Sequence, residues 1–136
     1  MKTAEKSATK KVLFIDTSTN DSVMAVLDNN KILNKIIWNG SGELSDSLLM
    51  KIEEILKNSN LNLTYISLIA VNPGPGSYTG LRIGISTVNA ISWSTKIPIS
   101  SVKFEGDRIK FLTPPGYNPI FPVYSRPPNI TKPKKT

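Results

Sequence analysis

The sequence predicts a single α/β lobe in the order β-β-β-α-β-α, followed by a short C-terminal extension. Three observations carry that reading. Short apolar runs near the N-terminus alternate with polar turns, as in an antiparallel meander. After Gly40-Ser41-Gly42 the apolar period becomes helical. A nearly continuous apolar run, Tyr65 to Val71, then leads into a second helical stretch, as a strand covered on both faces would. At 136 residues the chain suits one domain with a modest core and little spare for a second lobe.

Taken in order, Lys11 to Ile15 (KVLFI) is a β-branched and aromatic run that ends at the polar turn Asp16-Thr17-Ser18-Thr19-Asn20-Asp21. Ser22 to Leu27 (SVMAVL) forms the second strand, closed by Asp28-Asn29-Asn30, and Lys31 to Trp38 (KILNKIIW) the third. Leu44, Leu48, Ile52, Ile55 and Leu56 then recur at helical spacing, with Lys51, Glu54 and Lys57 on the other side. Ser41 or Ser45 is placed to cap this helix, and Asn58-Ser59-Asn60 stops it. Thr79 to about Thr95 reads as the second helix, with Pro98 at the next strand. Lys103 to Leu112 predicts a small hairpin turning at Glu105-Gly106-Asp107, and Pro114-Pro115-Gly116 breaks the chain after it.

Composition narrows the chemistry. The chain has neither cysteine nor histidine, which removes disulfides, thiolate nucleophiles, Ser-His-Asp triads and metal sites that need nitrogen or sulfur ligands. Oxygen-ligated Mg²⁺ or Ca²⁺ is the remaining metal chemistry. No apolar run approaches a spanning helix, and MKTAEKSATK has no apolar signal core, so a cytoplasmic protein is expected. The net charge of +7 belongs to the ends. Lys2, Lys6, Lys10 and Lys11 against Glu5, with Arg126, Lys132, Lys134 and Lys135, account for all of it, and the body is balanced. Basic tails at 1–10 and 126–136 on a neutral body are expected to be solvated segments, with attraction to RNA phosphates as the other reading.

The stretch with most content is AVNPGPGSYTGLRIGIS, Ala70 to Ser86. A phosphate cradle needs converging backbone N–H groups at a helix N-terminus. Pro73 and Pro75 remove two donors, and the segment lacks the Gly-Lys-Ser/Thr ending of a P-loop. Gly80 and Gly84, four apart, share a helix face, and with Ser77 and Thr87 they leave it shallow enough for another helix to approach. Asp16 is a candidate carboxylate for Mg²⁺ or the phosphate side of a nucleotide, although an Asp after a strand more often closes an Asx-turn on its own backbone. Ser77 as a nucleophile lacks the usual base. Arg82 suits an anion, a partner carboxylate or plain solvent exposure. Trp38 and Trp93 fit core or interface-edge positions better than base-stacking platforms.

With these residues in view, VLFIDTSTNDSVMAVL, ELSDSLLMKIEEIL and above all NPGPGSYTGLRIGIS resemble the TsaB (YeaZ) family of tRNA threonylcarbamoyladenosine synthesis. Gly74 to Gly84 matches that family's G-P-G-S-[FY]-T-G-[LV]-R-[IV]-G block throughout, and FPVYSRPP is similar to the P-x-Y-x-R that closes many members. The resemblance implies one lobe of the actin, Hsp70 and sugar-kinase (ASKHA, ribonuclease H-like) fold, here over 11–100. Only Ile99 to Tyr117 stands between the two matching segments, so 101–125 looks like the remnant of a second lobe reduced internally.

The resemblance further implies a non-catalytic subunit that supports a TsaD-type catalytic subunit in forming N6-threonylcarbamoyladenosine at adenosine 37 of tRNA, with no cofactor of its own. Self-association through the same helices, a TsaE-type ATPase in the complex and only indirect contact with tRNA are the attendant expectations. The implied interface is the pair of helices, with Leu44, Leu48, Lys51, Ile52 and Ile55 on the first. Thr79, Gly80, Arg82, Ile83, Gly84 and Thr87 are its members on the second. The rival reading is a small actin-like ATP-binding protein or kinase fragment holding nucleotide with Asp16, Thr17, Ser18, Gly74, Gly76 and Ser77.

Overall fold

The computed structural model describes residues 10–39, 43–106 and 108–124. Six strands form one sheet in the order β3-β2-β1-β4-β5-β6. They are β1 (Lys11–Asp16), β2 (Asp21–Asp28), β3 (Lys31–Asn39), β4 (Leu68–Val71), β5 (Ile99–Glu105) and β6 (Arg108–Phe111). Helix α1 (Leu44–Asn58) connects β3 to β4, and α2 (Tyr78–Thr95) connects β4 to β5. The first three strands pair antiparallel, β1–β4 and β4–β5 are parallel, and β5–β6 is an antiparallel hairpin. The predicted order holds, and β5 and β6 form the expected hairpin, with Glu105 paired to Arg108.

Local chemistry explains the connections. Asn29 and Asn30 both adopt positive φ, 52° and 77°, the left-handed pair that a two-residue hairpin with the strands' twist requires. The Asn29 side chain also accepts from the Lys10 N–H at 3.1 Å, which ties residue 10 to the meander. β4 is shorter than the apolar run suggested. Asn62 accepts from the Thr64 N–H and starts a 3₁₀ turn over Leu63–Tyr65, so the strand begins only at Leu68. Glu43, which makes no side-chain cap bond, occupies the N-cap of α1. Ser45 lies inside the helix and does not cap it, whereas Ser41 lies outside the described residues.

Strand alternation sends Leu13, Ile15, Met24, Val26, Ile69 and Val71 to the face that both helices cover. Leu44, Leu48, Ile52, Ile55 and Leu56 of α1 and Leu81, Ile85 and Val88 of α2 fill that layer. Val12, Phe14, Ala25, Leu27, Leu68 and Ala70 point to the opposite face. There β5 runs beyond its pairing with β4 and brings Phe104 edge-on to Phe14, with ring centroids 4.6 Å apart. Ile109 packs beside them, so the β5–β6 hairpin closes the second face. Residue 100, the expected end of the lobe, lies inside β5, which with β6 belongs to the same sheet. The expected tails lie outside the described residues, apart from Lys10.

Candidate functional site

β1 ends by aiming its turn at the start of α2. Asp16 Oδ1 accepts from the Ser18 N–H at 2.9 Å and from the Ser18 hydroxyl at 2.6 Å, an Asx-turn. Its Oδ2 accepts from Asn72 Nδ2 at 3.0 Å, and Asn72 Oδ1 in turn accepts from the Gly74 N–H at 2.9 Å. Both oxygens of the carboxylate are thus engaged by the protein's own loops. Thr17 is fully buried and donates its hydroxyl to the Gly80 carbonyl at 2.7 Å. Ser77 caps α2, its oxygen accepting from the Gly80 N–H at 3.1 Å, and its own N–H donates to the Ser18 carbonyl at 2.7 Å.

These contacts explain the glycine block. A Cβ on Gly76 would stand 2.3 Å from the Ser18 carbonyl oxygen, one on Gly80 2.2 Å from that of Thr17, and one on Gly84 2.1 Å from Thr17 Oγ1. Three glycines make room for one turn of the same chain, so the block is an internal notch on α2. Gly80 and Gly84 are accordingly buried against Thr17 and not open on the helix surface. Leu44, Leu48, Ile52 and Ile55, expected at the interface, likewise lie buried in the core of this lobe. Thr79 and Arg82 are exposed, while Lys51, Ile83 and Thr87 are half-buried. Lys51 pairs with Glu54 at 3.3 Å, and Trp38 donates to Ser47 from a half-buried position. Trp93, by contrast, is 81% exposed.

Asp16, Thr17, Ser18, Gly76 and Ser77 do come together, but Asp16, Thr17, Ser18 and Ser77 bond to one another or to Asn72 and Gly80, and Gly76 packs against Ser18. Gly74, at φ 107°, serves a different neighbour: a Cβ there would lie 2.3 Å from the Val123 carbonyl oxygen. The segment 120–124 runs alongside α2 as neither helix nor strand. Asn89 donates to the Ile120 carbonyl and accepts from the Ile120 N–H, each at 2.9 Å. The Val123 N–H donates to the Pro73 carbonyl at 2.7 Å, and the Tyr124 ring packs on Tyr78 with centroids 4.8 Å apart. The one signal for this docking was the FPVYSRPP match, which carries no periodicity. Beside it, Thr79, Arg82, Ile83, Ser86, Phe121 and Pro122 border a groove of about 440 Å³.

The turn-to-helix bond is directly testable. Thr17→Val keeps the shape and removes the hydroxyl that reaches Gly80, and is expected to cost about 1 kcal/mol in urea unfolding. A stability equal to the wild type would mean that this bond contributes nothing.

A parallel-centred sheet with both helices on one face, and the first hairpin's turn lodged in a notched helix, defines a lobe of the actin-like (ASKHA) class. A family model described as tRNA N6-adenosine threonylcarbamoyltransferase, TsaD, matches residues 39–104. The tRNA threonylcarbamoyladenosine biosynthesis protein TsaB of Buchnera aphidicola subsp. Schizaphis graminum is 33% identical over 91 residues, covering 67% of this chain and 43% of that protein. TsaB of Bacillus subtilis is also 33% identical over 91 residues, covering 67% and 40%. The solved structure of YeaZ from Pseudomonas aeruginosa superposes with a TM-score of 0.61 at 17% identity, over 81% of this chain and 68% of that one. The chain belongs to the TsaB (YeaZ) family. The match spans about two fifths of the length of these curated relatives.

Proposed function

We propose that this protein is a non-catalytic subunit in tRNA threonylcarbamoyladenosine biosynthesis, binding a TsaD-type catalytic subunit through the outer side of α2. The observation that carries this reading is the internal use of the glycine block. Asp16 spends both oxygens on Ser18 and Asn72, and the notch at Gly76, Gly80 and Gly84 is filled by the turn it would need to leave open for a phosphate. The same helix turns Thr79, Arg82, Ser86, Ala90 and Trp93 outward. A chain without histidine or cysteine also has no imidazole or thiolate with which to run acyl-transfer chemistry.

The interface so proposed keeps Thr79, Arg82, Ile83 and Thr87 from the sequence reading and adds Trp93. Self-association through this side competes when the catalytic subunit is absent. A TsaE-type ATPase and tRNA join through the complex, with tRNA contacted only indirectly. Among the described residues no helix is long and apolar enough to cross a membrane.

Co-expression of the full chain with the TsaD-type protein of the same genome, followed by size-exclusion chromatography, is expected to give a stable heteromeric complex. The chain alone is expected to show no ATP hydrolysis, peptidase or threonylcarbamoyl-transfer turnover. ATP turnover that survives repurification and disappears in Asp16→Ala would replace this reading with the nucleotide-binding one.

A further inference from the structure

We propose that residues 120–124 form a reversible strap that holds the first turn of α2 in place and so governs the groove beside it. Among the described residues, the polar anchors of the segment lie on α2 or on the loop leading into it. Asn89 grips both backbone groups of Ile120, the Pro73 carbonyl receives the Val123 N–H, and Tyr78, the first residue of the helix, receives the Tyr124 ring. Ile120, only 8% exposed, is the buried apolar peg, and the half-buried Tyr124 packs at the edge of the same core. Between these points the strap is poorly seated. Phe121 is 76% and Val123 52% exposed. One side of the segment borders the groove of about 440 Å³ against α2, and the other borders a cleft of about 550 Å³ that reaches Pro73, Ile99, Ser101 and Pro115.

A segment with space on both sides and a few discrete anchors opens locally, at a free energy well below that of the whole fold. Its release would have a defined consequence. The Val123 carbonyl lies against Gly74, the residue that positions the entry to α2, and Tyr124 lies on Tyr78. Lifting the strap frees both at once and dissolves the groove that Phe121 and Pro122 form with Arg82 and Ile83. The exposed side of α2 is then complete only when the strap is docked. This last step rests on the proposed role of α2 as a partner surface, whereas the strap's hold on the first turn does not.

The test is amide hydrogen exchange on the full chain, comparing wild type with Asn89→Ala, which removes both bonds to Ile120, and with Ser94→Ala as an exposed control on the same helix. Asn89→Ala is expected to accelerate exchange roughly tenfold or more at Val123 and at Gly80 and Leu81 of the first turn, with the β1–β4 amides unchanged. Acceleration at Val123 alone would overturn the coupling to α2. Uniform acceleration would show that 120–124 opens only with the whole fold, and unchanged exchange would show that Asn89 holds nothing; either overturns the proposal. Affinity for the TsaD-type subunit, measured on the same variants, is expected to fall with Asn89→Ala and not with Ser94→Ala. If the wild type shows no such affinity, the partner reading fails, and the exchange data decide the strap separately.

Discussion

Gly84→Leu is expected to destabilise the isolated protein by on the order of 3 kcal/mol, at the upper end of overpacking costs. Helix propensity alone favours leucine here by most of 1 kcal/mol, so a loss of stability must come from tertiary contact. That contact is Thr17, whose Oγ1 would lie 2.1 Å from the new Cβ, with its Cγ2 and Cβ at 3.0 and 3.1 Å. Thr17 cannot swing aside cheaply, because it is fully buried and bonded to the Gly80 carbonyl. The melting temperature is expected to drop by roughly 10–20 °C for a domain of this size. Thr17→Ala in the background of Gly84→Ala supplies the internal check. Removing Oγ1 and Cγ2 takes away the two nearest obstacles, so the double variant is expected to recover part of the stability that Gly84→Ala loses, with a coupling of about 1 kcal/mol or more. Additive losses would place Gly84 away from Thr17, and a Gly84→Leu variant that melts normally would return this glycine to the outer surface.

That outcome bears on how far the sequence could be read. The buried stripe of α1 was legible because Leu44, Leu48, Ile52 and Ile55 repeat at helical spacing, and all four reach the core. The Asx-turn at Asp16 was legible because it needs only residues two apart. The glycines of α2 were legible as a place of close approach, but not as to what approaches. Small residues four apart fit a partner helix or a turn of the same chain equally well, and the turn that fills the notch lies 63 residues away from Gly80. Leu44, Leu48, Ile52 and Ile55 carry a related ambiguity: an apolar stripe reads alike whether it serves the core or a partner, and in this lobe it lies in the core. The strap was invisible to periodicity because it is neither helix nor strand and is held by backbone groups and one amide side chain.

Trp93→Ala is expected to weaken binding to the TsaD-type subunit by roughly thirtyfold, about 2 kcal/mol, while leaving the fold intact. With the buried stripe of α2 assigned to Leu81, Ile85, Val88 and Ser92, the opposite stripe runs through Thr79, Arg82, Ser86, Ala90 and Trp93, all exposed and three or four residues apart or a multiple of a turn. Arg82 is the only charge on the helix, and it lies 5.3 Å over the Tyr78 ring, so the stripe carries little charge to desolvate. A tryptophan 81% exposed on such a surface contributes almost nothing to the isolated fold, and its removal should shift stability by no more than about 0.5 kcal/mol. Against a partner the same ring can bury its full area and dominate the contact. Isothermal titration of the variant, beside its thermal melt, separates the possibilities. Unchanged affinity would take the outer stripe of α2 out of the interface, and early melting would mean that Trp93 supports its own chain. Arg82→Glu tests the other end of the stripe, where reversal of its single charge should change the association rate and its salt dependence.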